Sequence, residues 1–161
     1  MDRNNLVFVV SALVSSSLLL TSGHGFAGGL IVAAVAFSLL WLLSLVLRDA
    51  SIVDIFWGPG FILIGAYYAM TVSGAPTFRG LLVLTLVTGW GLRLALHIGF
   101  RNVVAGEDFR YRKWREEAGG SFWWISLFKV FLLQALVLWI VSSPLLLAQL
   151  GGKEDVTVIE V

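Results

Sequence analysis

The chain contains no cysteine in 161 residues. Disulfides, thiolate metal sites and cysteine nucleophiles are excluded at once. Histidine is scarce as well, with two residues, His24 and His97, so no dedicated metal centre is expected. Three prolines leave few helix breaks. Charge is the largest deficit: 13% of residues are charged and 58% are apolar. An ordinary soluble domain carries about 25% charged residues and 45–50% apolar ones. A core of this size cannot bury the excess, because a domain of about 150 residues leaves roughly 30% of its chain surface exposed. Lipid must cover the remainder. The net charge of +1 gives no basic face for nucleic acid, and no nucleic-acid partner is expected. No Gly-rich phosphate loop, His-Glu-x-x-His or Gly-x-Ser-x-Gly motif occurs.

Long apolar runs are plentiful. A helix needs about 20 mostly apolar residues to cross a bilayer. Five stretches approach or meet that length: Leu6–Leu20, Phe26–Leu47, Ile52–Val72, Gly80–Phe100 and Ser126–Leu150. The expected fold is therefore all-α: a multi-pass bundle of about five spans in residues 1–150, followed by a polar tail, 151–161. The first stretch lacks the small-x-small cleavage site of a signal peptide and reads as a retained helix. Lysine and arginine set the orientation. Arg3, Arg48, Arg101, Arg110, Arg112, Lys113 and Arg115 collect on one side, against Arg79 and Lys153 on the other. The crowded side, with the N-terminus, should be cytoplasmic, in the plasma (inner) membrane if the source is bacterial. Residues 101–125 alternate charges with Phe109, Tyr111 and Trp114 and end in Phe122-Trp123-Trp124. They read as a short amphipathic helix and an aromatic belt that anchors the fifth span.

Three ionisable residues fall inside spans: Asp54, Arg93 and His97. Each costs about 2.5–3.5 kcal/mol on insertion scales, so each should face the bundle interior with a partner. Arg93 and His97 are four apart and share a helix face with Trp90 and Arg101. Arg93 lies roughly 10 Å inside its span and Asp54 about 3 Å inside its own, so snorkelling makes Asp54–Arg93 or Asp54–Arg101 a reasonable pair. Such a pair can be functional or can only staple two helices. Gly58-Pro59-Gly60 should break or kink the third span and create either a ligand cavity or a tight helix crossing. Gly89-Trp90-Gly91 allows close approach. Gln134 should make an interhelical hydrogen bond. Ser142-Ser143-Pro144 should give a milder kink, and Tyr67 and Tyr68 read as belt residues, with a proton-donor role open.

The runs Ser51-Ile-Val-Asp54-Ile-Phe-Trp57-Gly58-Pro-Gly60-Phe61 and Thr88-Gly-Trp90-Gly91-Leu-Arg93-Leu-Ala-Leu-His97 carry a resemblance. So do Arg101-Asn102, Gly106-Glu107-Asp108-Phe-Arg110-Tyr111, Arg115, and Phe122-Trp-Trp124 through Phe131-Leu-Leu-Gln134. Over residues 40–148 the chain resembles a bacterial membrane family of the steroid 5-alpha-reductase superfamily. That resemblance implies an NADPH-dependent reduction of a carbon–carbon double bond in a sterol-like or enone lipid. It implies cofactor contacts from Arg93, Arg101, Asn102, Glu107, Asp108, Arg110, Tyr111 and Arg115. It implies a substrate cavity lined by Asp54, Trp57, Gly58 and Trp90. Tyr68, His97 and Tyr111 are the candidates for the acid. Relatives continue into further helices with an Arg-His-Pro type motif. The chain is therefore expected to be an N-terminal portion, inactive alone or completed by a C-terminal complement chain. Two other readings stay open: a lipid or prenyl methyltransferase using S-adenosylmethionine, and a non-enzymatic membrane protein whose basic segment binds headgroups or a partner.

Overall fold

The computed structural model describes residues 23–72 and 77–150. Every regular element among them is helical: α1 (Gly23–Leu47), α2 (Ile52–Ile55), α3 (Trp57–Thr71), α4 (Phe78–Ala105), α5 (Phe109–Ala118), α6 (Phe122–Ser126), α7 (Leu133–Val141) and α8 (Ser143–Leu150). A 3-10 turn at Gly119–Ser121 joins α5 to α6, and a π-helical stretch at Leu127–Leu132 joins α6 to α7. The expected first span, Leu6–Leu20, and the tail 151–161 lie outside the described residues.

Three helical runs are long and apolar enough to cross a membrane: Gly25–Leu47, Phe78–Asn102 and Phe109–Leu150. Their outer faces are covered with large apolar side chains, including Ile31, Val46, Leu86, Leu96 and Phe128. Water would not tolerate such a surface, and lipid would. These are features of a membrane protein.

The stretch 52–72 is not one continuous helix. The chain turns at Phe56, and α3, with 15 residues, is roughly 22 Å long. The break precedes the Gly58-Pro59-Gly60 triplet rather than falling on it. Pro59 sits in the first turn of α3, where a missing N–H costs no helical hydrogen bond. Within the triplet, Gly58 serves a tight helix crossing, and Gly60 packs on Leu138 and Phe37. A Cβ on Gly58 would collide with the Gly91 carbonyl oxygen, and one on Gly91 would lie 2.8 Å from the Gly58 oxygen. These two glycines let the α3 and α4 backbones touch. Gly89 has open space around it and takes no part.

The rest of the core is aromatic and aliphatic. Phe37, Val53, Ile64, Tyr68, Phe131, Leu138 and Leu146 are fully enclosed. Tyr68 is thus a core residue, packed on Gly29, while Tyr67 packs on Gly28. Tyr68 is therefore not a belt side chain, and Tyr67 is half-buried near the end of α3. The chain also turns at Ser142, between α7 and α8, beside Pro144 as the sequence suggests.

Candidate functional site

Four elements bring polar side chains together at one end of the bundle. The short helix α2 carries Asp54, the start of α3 carries Trp57, α5 carries Arg110 and Tyr111, and α7 carries Gln134. Helix α5 is positioned by its cap. Gly106 takes a positive φ of 73° after α4 ends, which turns the chain sharply. Asp108 then accepts a hydrogen bond from Arg110 N at 2.9 Å and starts the helix. Tyr111 points inward and is 3% exposed.

The side chains form one chain of hydrogen bonds. Trp57 Nε1 donates to Gln134 Oε1 at 2.7 Å. Gln134 Nε2 donates to Tyr111 Oη at 3.2 Å. Tyr111 Oη donates to Asp54 Oδ1 at 2.9 Å. Arg110 reaches Asp54 Oδ2 at 3.2 Å and also holds Asp108 through Nε at 3.0 Å. Gln134 therefore uses both ends of its amide between helices, as expected of it. The Arg110 guanidinium, hydrogen-bonded to Asp108, holds the Asp108 carboxyl below the usual carboxylate range.

Asp54 does have a cationic partner, but it is neither Arg93 nor Arg101. Arg93 and His97 lie on the exposed face of α4, away from the cluster. The cause is the Gly58–Gly91 crossing, which turns the Gly91 face of α4 inward and the 93/97 face outward. Arg101 is exposed, and its hydrogen bonds among the described residues are long 3.4 Å contacts with the side-chain oxygen of Asn102. Asn102 approaches Ser51 Oγ at 3.5 Å.

A second polar knot lies nearby. Glu107 Oε1 accepts from Arg115 at 2.6 Å and from Ala50 N at 2.9 Å, tying α5 to the turn before α2. Sequence reasoning assigned Glu107 and Arg115 together without seeing that they pair. It missed Ala50 altogether and met Ser51 only as the first residue of a motif run. Both are small, buried residues whose role rests on backbone and hydroxyl groups that no spacing rule marks.

Of the cavity candidates, Asp54 and Trp57 join the cluster. Trp90 approaches it through Phe61, which stacks edgewise on Trp90 at 5.7 Å and lies 6.1 Å from Trp57. Gly58 faces the α4 backbone instead of open space. Of the three acid candidates, Tyr111 alone is in the cluster. His97 is exposed on α4, and Tyr68 is buried with no well-formed hydrogen bond to its hydroxyl among the described residues.

The family model described as a protein of unknown function, DUF1295, matches residues 40–161. The chain belongs to that family. The match contains every residue of both polar knots and extends past residue 148, the limit of the motif resemblance. No curated protein and no solved structure matches the chain.

The donor set can be tested against a nicotinamide dinucleotide. Arg101 is an exposed guanidinium of the kind that suits its phosphates, while Arg110 is already held by Asp54 and Asp108. Glu107, Asp108 and Arg115 are occupied with one another or with a helix cap. Two grooves at this end of the bundle are lined by residues other than the polar cluster. The part of a dinucleotide that the described donor set suits is its phosphates.

Proposed function

We propose that this DUF1295 chain is part of a membrane-embedded reductase acting on a carbon–carbon double bond of a lipid enone. The carrying observation is the Tyr111 phenol, buried among apolar helices and held between Asp54 and Gln134. A bound dinucleotide would supply the hydride, and NADPH is the form the family resemblance implies. The chain's own contribution is a proton held at a fixed place. Gln134 donates to the phenol oxygen, so the phenol hydrogen points to Asp54. A substrate carbonyl replacing that carboxylate contact would receive a hydrogen bond where enolate charge develops. Trp57, Phe61 and Trp90 offer an apolar wall for a lipid.

In this reading the end carrying Arg48, Arg101, Arg110, Arg112 and Arg115 faces the cytoplasm, with the N-terminus on the same side. Helix α5 turns Tyr111, Trp114 and Ala118 inward and leaves Arg112, Lys113, Glu116 and Glu117 exposed, which suits an amphipathic segment at a bacterial inner membrane. In this reading a C-terminal complement, on the same or another chain, contributes to the ring site.

The test is product analysis with the full chain in lipid nanodiscs, alone and coexpressed with a C-terminal complement. Enone lipids are supplied with NADPH deuterated at the transferring position. Deuterium at the carbon β to the carbonyl, lost in Tyr111→Phe, supports the reading. Methyl transfer from S-adenosylmethionine with no deuterium incorporation overturns it.

A further inference from the structure

At the same end of the bundle, a groove of about 760 Å³ shares none of its lining with the Asp54 cluster. Its walls come from the end of α1 (Ser44, Leu45, Arg48), from Arg115 of α5, and from Gly119–Gly120 and Trp123. Both of its charged lining groups are arginines. The exposed Arg48 side chain makes no hydrogen bond or ion pair among the described residues. Arg115 is tied to Glu107 by one nitrogen, while its Nε is shielded and unpartnered. Its guanidinium lies over the Phe122 ring, 4.8 Å from the centroid.

The backbone at Arg48 is unusual. Its φ of 54° is positive, the one such value outside glycine among the described residues. It ends α1 at a position that glycine fills best. An arginine held there carries backbone strain that no side-chain contact among the described residues offsets.

The groove also has the anatomy of a membrane boundary. Trp41 and Trp123 stack at its side, and Trp41 Nε1 donates to the Trp123 carbonyl at 2.8 Å. Tryptophans favour the headgroup level of a bilayer. From Leu45 the lipid-facing surface of α1 continues through Leu42 and Val46, all exposed. An anion in the groove would thus sit directly above an apolar track.

We propose that this groove binds the phosphate headgroup of an anionic phospholipid. Arg48 and Arg115 contact the phosphate by charge-assisted hydrogen bonds, and an acyl chain descends along α1. The shared chemistry is a phosphate. The continuity of the groove with the apolar face commits the source to a membrane lipid over a soluble anion. This site is separate from the reductase reading and stands without it.

The experiment follows thermal unfolding of the full chain in neutral detergent micelles titrated with phosphatidylglycerol or phosphatidylcholine. Phosphatidylglycerol should raise the midpoint and phosphatidylcholine should not. Arg48→Gly should raise the midpoint in the absence of lipid, because strain is relieved. It should also weaken the phosphatidylglycerol response about tenfold, the loss of one charge-assisted contact. These opposite shifts separate ligand binding from a structural role. Arg48→Gln is the second variant should the glycine fail to fold. Lys113→Gln, an exposed charge outside the groove, should leave the response unchanged. Equal losses in Arg48→Gln and Lys113→Gln would mean diffuse surface attraction and overturn the site. Inorganic phosphate or NADPH reproducing the shift at the same concentration would overturn the lipid as its occupant.

Discussion

Tyr111 Oη lies 2.9 Å from Asp54 Oδ1, across 57 residues of sequence. The bond joins α5 to the short helix α2, and Gln134 of α7 completes it from the other side. Tyr111→Phe should keep the ring packing on Trp114, 5.8 Å away and edgewise. It leaves a carboxylate and an amide short of one partner each. The expected loss is about 1–3 kcal/mol of stability. Reductase turnover should fall by about 10²–10⁴ if the phenol is the acid. Chemical denaturation in mixed micelles measures the first, and deuteride transfer the second. Turnover unchanged in a folded variant would remove Tyr111 from the chemistry.

Tyr68→Phe should behave oppositely. Its hydroxyl is buried beside Ser142 without a well-formed hydrogen bond, so removing it gives up little and relieves a desolvated polar group. The expected effect on stability is neutral to favourable, up to about 1 kcal/mol. A clear destabilisation in the same denaturation assay would show that the hydroxyl has a partner.

The α3–α4 crossing makes a sharp contrast between neighbouring glycines. Gly58→Ala and Gly91→Ala each push a methyl group into the opposing backbone, which cannot swing aside as a side chain does. Overpacking of this kind costs about 1–3 kcal/mol or more. Gly89→Ala meets open space, and alanine is the better helix former by roughly 1 kcal/mol. Midpoints of thermal unfolding should therefore fall for the first two variants and hold or rise for the third. A common response of all three would mean that the helices do not cross at Gly58 and Gly91.

These contacts explain which parts of the architecture the sequence reveals. Apolar run length marks α1 and α4 plainly, because lipid asks only for sustained hydropathy. Asp54 and Gln134 stand out because a polar group among apolar neighbours needs a partner. Which partner is a different matter. Helical spacing puts Arg93, His97 and Trp90 on one face but does not say which way that face turns. The direction is decided by backbone contact at Gly58 and Gly91, a property of two helices at once. The actual partner, Arg110, comes from the segment after α4, and its reach depends on the Gly106 turn and the Asp108 cap. The Glu107–Ala50 hydrogen bond was equally hidden, since half of it is a main-chain N–H.

The Asp54–Arg110 pair should show coupling in a double-mutant cycle with Asp54→Asn and Arg110→Gln. Arg110 is 53% exposed and Asp54 18%, so water screens the pair. Coupling of about 0.2–1 kcal/mol is expected. The same cycle with Arg93→Gln in place of Arg110→Gln should give none. Coupling to Arg93 and not Arg110 would restore the pairing that charge spacing alone suggests.

The last prediction concerns acid. Asp108 caps α5, and the Arg110 guanidinium holds its carboxyl below the usual value of about 4. A carboxyl depressed in the folded state binds its proton more weakly there than in the unfolded chain. Its contribution is therefore fully present above the ordinary carboxylate pKa and is lost as pH falls through the depressed folded value. Amide exchange in α5, corrected for intrinsic rates, should thus show constant protection from neutral pH down to about 5. Protection should fall only below about 4. Asp108→Ala should cost about 1 kcal/mol of protection at neutral pH, the worth of a helix cap, and should flatten the acid dependence. A wild-type helix that loses protection already between pH 7 and 5 would point to another titrating group and remove Asp108 as the residue that anchors α5 over Asp54.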